Sequence, residues 1–362
     1  MNIIINQSNL QTALRAVERL VAKNISLPIL NTIRLKTETG RLELSATNLE
    51  MGINYWVPAK INQAGEVAVP ARVFSDFITN IPDEKLAIST DQNIITVSSN
   101  RHQTQILGLD SKEFPLMPKT KKTDAITIPG PLLRSAIANV IDCVATSETR
   151  PELSGIFINI SPKKTEFAAT DSFRLAEKIV DFGHTDERSI ILPRAAALEL
   201  MRLSEENGGE LRLTLAENQI FAHGENFEFV SRLIDGRYPD YKKIIPEKFI
   251  SLAKVSKNEL EINTKLASIF TSSVADIKIT AGAGTLQLQA KNSDRGEIVA
   301  SVACTLKNEP FTVSVNYRYL LDGLKTINSD SVIIQFTGEG SPLVLRASEG
   351  KDQTYLIMPL RS

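Results

Sequence analysis

The sequence predicts an α+β fold: three similar domains, each with two helices packed on antiparallel sheets. Three observations predict it. A helix-period stretch returns at domain-sized intervals. Short alternating strands follow the helices in hairpin-like pairs. The 362 residues divide into units of about 120, each long enough to bury a core.

The recurring stretch comes first. Val73, Phe74, Phe77, Ile78 and Ile81 fall on one helix face, and Pro70 opens it in a first turn, where proline is tolerated. A second copy opens at Pro193, 123 residues on, with Ala196, Ala197, Leu200, Met201 and Ser204 in the same register. A third opens at Asn316, another 123 on, with Tyr319, Leu320, Gly323, Leu324 and Ile327. The register holds while the identities change, as in a repeated unit.

Each repeat also begins with a short strand and an earlier helix. Ile3-Ile4-Ile5 precedes Leu10, Ala13, Leu14, Val17 and Val21; Ile126-Thr127-Ile128 precedes Leu133, Ala136, Ile137, Val140 and Val144; Ile250-Ser251-Leu252 precedes Ile262, Leu266 and Ile269. Strand pairs follow, such as Ile33-Arg34-Leu35-Lys36 with Leu42-Glu43-Leu44-Ser45 about the turn at Thr39-Gly40. Each pair reaches a polar corner: Ala46-Thr47-Asn48, Ala169-Thr170-Asp171 and Ala290-Lys291-Asn292, spaced 123 and then 121 residues. Proline-bearing linkers close the first two repeats, at 113–122 and 236–246. Their aromatic and aliphatic residues predict linkers packed onto the domains. The domains are therefore 1–122, 123–246 and 247–362. Three such units in line leave strand edges open at both ends, and head-to-tail pairing of two chains is one way to use them.

Composition excludes several classes. Charged residues are 23% and the net charge is −1, so the chain is neither a disordered tail nor a strongly basic nucleic-acid binder. Two cysteines in different repeats form no CxxC, and a reduced cytoplasmic setting is the simplest expectation. The first six residues have no basic region or long apolar run of a signal peptide, and no run approaches a membrane span. Catalytic signatures are also missing. His102, His184 and His223 form no HExxH, and Gly282-Ala283-Gly284 lies in a hairpin turn. Cys143 lies on an apolar helix stripe, and Asp171 and Asp240 sit at turns that aspartate commonly caps. No metal or cofactor is expected, and no enzyme activity.

The residues resemble the bacterial DNA polymerase III beta subunit family, the sliding clamps, over nearly the whole length. The carriers are Leu27-Pro28-Ile29-Leu30, Ala46-Thr47-Asn48-Leu49-Glu50-Met51, Val69-Pro70-Ala71, Phe114-Pro115, Thr149-Arg150-Pro151-Glu152-Leu153-Ser154-Gly155, Ala169-Thr170-Asp171-Ser172-Phe173-Arg174-Leu175-Ala176, Asp235-Gly236-Arg237-Tyr238-Pro239-Asp240-Tyr241 and Tyr355-Leu356-Ile357-Met358-Pro359-Leu360-Arg361. The resemblance implies a DNA-clamp fold and a head-to-tail dimeric ring that surrounds duplex DNA without reading sequence. Helices line the hole. The ring tethers the polymerase III alpha subunit, is loaded by a clamp loader, and serves other polymerases and repair proteins that carry a clamp-binding peptide. It has no catalysis of its own.

The resemblance also implies sites. A partner peptide carrying Gln and Leu/Phe would enter an apolar pocket between the second and third domains. Its matching positions are Arg150, Leu153, Thr170, Ser172, Phe173, Arg174 and Leu175 from the second repeat. The linker adds Pro239, Lys243 and Ile244, and the third repeat adds Pro342, Met358, Pro359, Leu360 and Arg361. Exposed apolar groups beside a linker independently mark a partner site. Three positions depart from commoner versions: Ser172-Phe173 stands for Gly-His, Lys243 for arginine and Ser362 for leucine. The DNA-facing cations are Arg15, Arg19, Lys23, Arg72 and Arg134, then Arg194, Arg202, Lys257, Lys265, Arg318 and Lys325. Acids interrupt them, so the helices give a weak positive potential, suited to sliding. At the ring seam, strands within 94–109 would pair with strands within 269–280 and 297–305 of another chain, with Ile106, Thr104, Ile269 and Phe270 as seam residues. Thr104 stands where an aromatic is familiar. Two other readings stay open on the residues alone: a non-DNA scaffold of tandem repeats, and a hydrolase needing clustered titratable groups in a cleft.

Overall fold

The computed structural model of the chain describes residues 1–22, 26–120, 125–147, 149–185 and 187–360. Lys23, Arg361 and Ser362 lie outside the described residues. The chain forms two compact units, one of Met1–Pro131 with Arg202–Leu233 and one of Leu132–Met201 with Ile234–Ser362.

Six α-helices occur among the described residues: α1 Gln7–Val17, α2 Ala71–Asn80, α3 Gly130–Val140, α4 Arg194–Asn207, α5 Lys257–Ser268 and α6 Tyr317–Thr326. The recurring stretch is α2, α4 and α6. Pro70 stands at the N-cap of α2, one residue before the first helical position. At α6 the side chain of Asn316 caps the helix, its Oδ1 accepting from the Arg318 amide at 2.9 Å. The earlier helices α1 and α3 each run on into a short 3-10 turn, Glu18–Leu20 and Ile141–Cys143. The periodic residues Leu10, Ala13, Leu14 and Val17 of α1 are buried, as are Phe74 and Ile78 of α2.

The first unit holds two antiparallel sheets. One has five strands in the order Lys60–Gln63, Asn2–Asn6, Lys85–Asp91, Ile94–Ser98, Gln103–Leu107. The other has eight: Ala125–Pro129, Glu210–Leu215, Gln219–His223, Phe227–Arg232, Met51–Pro58, Arg41–Thr47, Thr32–Glu38, Glu66–Pro70. Here a strand of the second repeat pairs with one of the first, Phe229 opposite Ile53. The second unit is built on one twelve-stranded antiparallel sheet: Arg188–Pro193, Gly155–Ile160, Thr165–Thr170, Arg174–Val180, Gln353–Ile357, Leu343–Ala347, Ser331–Phe336, Ser251–Ser256, Gly296–Asn308, Thr285–Asn292, Asp276–Ala281, Phe311–Asn316. Strands of the second and third repeats meet where Leu175 faces Leu356. Sheets therefore run across the repeat boundaries, and the compact units do not follow the 123-residue period.

The linkers pack in part as composition predicts: aromatics in both are buried, while Leu116 of the first and Ile244 of the second stay exposed. Phe114 is buried with Ile29, Leu30 and Ala68, but Leu116 is almost fully exposed. Met117 packs over Gly52, its Cε 2.2 Å from where a Cβ would stand, a contact the end of that flexible side chain could relieve by moving. Tyr238 and Tyr241 of the second linker are both buried.

Candidate functional site

Two polar corners share one hydrogen-bond pattern, and the second builds the site. In the first, Asn48 Oδ1 accepts from the amides of Glu50 (3.0 Å) and Met51 (2.7 Å), while Thr47 Oγ1 donates to the Met51 carbonyl (2.8 Å). In the second, Asp171 Oδ1 accepts from the amides of Phe173 and Arg174, both at 3.0 Å, while Thr170 Oγ1 donates to the Arg174 carbonyl (2.7 Å). Leu49 and Ser172 occupy the same left-handed backbone position, φ 74° and 75°. Only glycine takes that conformation without cost, so Leu49 and Ser172 both hold a strained backbone.

The second copy differs in carrying Arg174 where the first has Met51. Its Nε donates to Asp171 Oδ2 at 3.0 Å and its Nη1 to Asp322 Oδ2 at 2.5 Å. The guanidinium carbon stands 4.6 Å from the ring centroid of Tyr319, a cation–π contact. Lys325 Nζ donates to the other oxygen of Asp322 at 2.8 Å. Burial alone would raise the Asp322 carboxyl, but Lys325 and Arg174 outweigh it and hold the carboxyl below its usual range.

Beside this corner lies an apolar cluster. Leu153, Ala168, Leu175, Ile191, Tyr238, Tyr241, Val344 and Leu356 form its buried part, and Met358, Ile245 and Phe249 pack against it. Phe157 stacks on Tyr238 with centroids 5.0 Å apart. The phenols are tied in: the Thr170 amide donates to Tyr238 Oη at 3.0 Å, and Tyr241 Oη donates to Glu177 Oε1 at 2.8 Å. The linker is also held by charge, because Lys242 Nζ donates to the buried Glu166 at 2.7 Å. Lys164 reaches the same oxygen at 2.7 Å and Asn159 the other at 3.1 Å. Burial would raise the Glu166 carboxyl; these three donors bring it down to about 2.

The structure brings most of the expected pocket residues together but divides their roles. Leu153 and Leu175 are each 2% exposed, so they are closed core, not open lining. Phe173, 61% exposed, and Ile244, 45% exposed, stand at the surface. Met358, Pro359, Leu360 and Pro342 are partly exposed. The last described residues are pinned by backbone bonds, Met358 N to Phe173 O and Leu360 N to Ser314 O, both 2.8 Å. Pro239 is partly exposed, and Lys243 is exposed and paired with Asp240 at 3.0 Å. Arg150 pairs with Glu152 at 3.1 Å. Asp322 and Tyr319 are site residues the sequence did not single out. Helical spacing was the available signal, since both lie on α6 one turn apart, but it does not say which strand α6 covers.

The expected DNA-facing cations also divide. Arg15, Arg19, Arg72 and Arg318 are exposed. Arg202 is not available: it is mostly buried, its Nη2 donating to the Ala16 carbonyl at 3.2 Å and its Nη1 to Glu206 at 2.6 Å. Lys257 is likewise turned inward, donating to the Ile327 carbonyl at 2.6 Å. Lys325 is exposed but shares Asp322, and Lys265 pairs with Glu261 at 2.6 Å. Arg194 is half-buried and Arg134 exposed.

Strand pairing within the chain limits which of the expected seam strands have an open edge. Ile106 is 6% exposed and faces its own sheet's core; its neighbour Leu107, 74% exposed, faces out, because successive residues of a strand alternate. Thr104 is half-buried, Ile269 is exposed and Phe270 is half-buried. Strand Ile94–Ser98 is paired on both sides, so the edges of that sheet are Gln103–Leu107 at one end and Lys60–Gln63 at the other. Strand Asp276–Ala281 is also paired on both sides and has no edge to offer. In the third repeat two strands have an unpaired side: Phe311–Asn316, which ends the sheet and pairs only with Asp276–Ala281, and the first part of Gly296–Asn308, which pairs with Thr285–Asn292 on one side only, its later residues alone meeting Ser251–Ser256.

Burial pushes the Cys143 thiol up to about 12, which makes it inert at neutral pH. Among the described residues no three of His, Cys, Asp and Glu are placed to hold a metal ion, and no helix is long and apolar enough to cross a membrane.

A helix-and-sheet unit used repeatedly, with bare strand edges and an apolar rim beside a pinned linker, defines a protein of the DNA-clamp class. Models of the N-terminal, central and C-terminal domains of the DNA polymerase III beta subunit match residues 1–118, 127–240 and 242–361. The chain belongs to the DNA polymerase III beta subunit family. It is 28% identical over 375 aligned positions to a beta sliding clamp of Staphylococcus aureus, covering both chains completely. A DNA polymerase sliding clamp of Bacillus subtilis superimposes with TM-score 0.96 at 25% identity, over 100% of this chain and 99% of that one. A sliding clamp of Pseudomonas aeruginosa bound to griselimycin gives TM-score 0.96 at 26% identity over 100% of both.

Proposed function

We infer that this chain is a processivity clamp: two copies close around duplex DNA, slide on it, and tether the replicative polymerase and other partners. It is a non-catalytic scaffold. The single observation that carries this is the match to all three clamp domain models, in order, along the whole chain. Holding by topology asks little of any contact, and that fits a chain of net charge −1 with scattered exposed arginines.

The parts are assigned as follows. The repeats at 1–122, 123–246 and 247–362 are the three clamp domains. The partner peptide, carrying Gln and Leu/Phe, docks at Phe173, Ile244, Met358 and Leu360, over the cluster of Leu153 and Leu175. The seam joins the edge Gln103–Leu107 of one copy to the open edge of Gly296–Asn308 of the next, with Leu107, Ile269 and Val299 as its apolar contacts; their exposure in the single chain supports this. Arg15, Arg19, Arg72 and Arg318 meet phosphates. The partners are the polymerase alpha subunit, the clamp loader, and further polymerases and repair proteins, in the bacterial cytoplasm.

Retention on circular plasmid tests the topology. The loaded protein should stay on a nicked circle and run off once the circle is linearised. Equal retention on both forms would overturn it. Light scattering should give a particle of twice 39.9 kDa, and a stable monomer at micromolar concentration would count against the ring.

A further inference from the structure

We propose that Asp322 of α6 is a positioning residue for the partner-peptide pocket, acting through Arg174 on the rim residues Phe173 and Met358. The proposal rests on the pocket reading above and names a residue that reading does not contain.

Arg174 is fixed from three directions. Asp171 takes its Nε, Asp322 takes its Nη1 at 2.5 Å, and the Tyr319 ring lies against its face. Asp171 cannot hold it alone, because its Oδ1 already serves two backbone amides of the corner. Asp322 is thus the anchor that comes from outside the corner, 148 residues away in sequence. Charge-assisted bonds of this kind are short and directional. Both side chains are largely buried, 13% and 22% exposed, so water screens the pair weakly.

The anchor is itself rigid. Its neighbour Gly323 lies so close to the next strand that a Cβ there would stand 2.6 Å from the Tyr355 ring. Helix α6 therefore sits hard against Gln353–Ile357, and Asp322 has little freedom. From Arg174 the constraint passes along the main chain. Arg174 follows Phe173 directly, and the Phe173 carbonyl accepts the Met358 amide at 2.8 Å. One carboxylate on a helix so sets where the exposed aromatic and the adaptable thioether of the rim stand. A pre-set rim spares a bound peptide the ordering of those side chains.

The test uses the full-length protein and a fluorescein-labelled peptide carrying Gln followed by Leu and Phe, read by anisotropy. Asp322→Asn removes the charge and keeps the size. It should raise the peptide Kd about tenfold, the size of effect a lost charge-assisted bond gives, while the dimer mass stays unchanged. Asp322→Glu restores the charge and should recover most of the affinity. Arg174→Ala should weaken binding, and adding Asp322→Asn to it should weaken binding no further, since Asp322 acts only through Arg174. Wild-type protein that fails to bind the peptide would remove the pocket reading itself. Wild-type binding with an Asp322→Asn Kd within twofold, or losses that add in the double variant, would overturn this proposal and leave the pocket standing.

Discussion

Replacing Glu166 with Gln should destabilise the second unit in a pH-dependent way. Glu166 is 2% exposed at its side chain and takes Lys164, Lys242 and Asn159. Its carboxyl lies near 2, against 4.5 in the ordinary state. The gap of about 2.5 units is worth at most about 3.4 kcal/mol at 1.36 kcal/mol per unit. Both lysines stand half in water, which reduces this to about 2 kcal/mol. The folded pKa is depressed, so the contribution is complete above about pH 4.5 and is lost as pH falls towards 2. A protonated Glu166 resembles Gln, so the two proteins should converge at low pH. Calorimetry at pH 7 should place the Glu166→Gln midpoint about 4–8 °C lower, at roughly 2–4 °C per kcal/mol for a unit of this size. The difference should narrow between pH 4.5 and the lowest pH at which both proteins fold. A constant difference across that range, or none at pH 7, would refute the assignment of charge-based holding to this site.

Three further outcomes follow from the geometry. Ser172→Gly relieves a left-handed backbone position and should stabilise the chain by about 1 kcal/mol, read as a rise in thermal midpoint; a fall would show that the Ser172 side chain compensates its strain. Leu107→Asp puts a charge on an exposed edge residue and should turn the dimer into monomer in light scattering, whereas Ile106→Val, within the same strand's buried face, should cost about 1 kcal/mol of stability and leave the dimer intact. The double substitution Arg15→Ala with Arg19→Ala should lower the salt-dependence slope of DNA retention by about one to two, and an unchanged slope would place the DNA elsewhere.

The repeat was legible because burial enforces periodicity: the recurring stretch returned as α2, α4 and α6 with Phe74, Ile78, Ala196, Ala197, Leu200, Leu320 and Leu324 inward, but Val73 is exposed, and in the third repeat's earlier helix Ile262, Leu266 and Ile269 face out while Leu260, Thr264 and Ala267 are buried. The corner motif was legible too, since Thr and Asp/Asn at fixed spacing dictate their own local bonds. What the sequence hid was facing and pairing. In Gln103-Thr104-Gln105-Ile106-Leu107 two apolar residues are adjacent, and a strand turns only one of them inward, so the pattern does not choose between Ile106 and Leu107. Arg202 and Lys257 lie on helices like the exposed arginines, but their long side chains reach back to carbonyls of distant segments, Ala16 and Ile327. Which strand keeps a bare edge depends on neighbours far away in the chain: Asp276–Ala281 looks like any edge strand until Phe311–Asn316 is seen beside it. The bond from Arg174 to Asp322 belongs to the same kind, because no local pattern announces a partner 148 residues off.

The thirteen-residue strand Gly296–Asn308 serves two neighbours in turn, Thr285–Asn292 along its first part and Ser251–Ser256 along its last. It works as a lap joint. Tension applied within the plane of the sheet crosses this splice as shear on many backbone bonds at once, where a butt-ended strand would peel open one bond at a time. For a protein that is dragged along a template by a working polymerase, such a joint lets load pass through covalent chain and overlapped ladder together, with no weakest rung at which a tear would start.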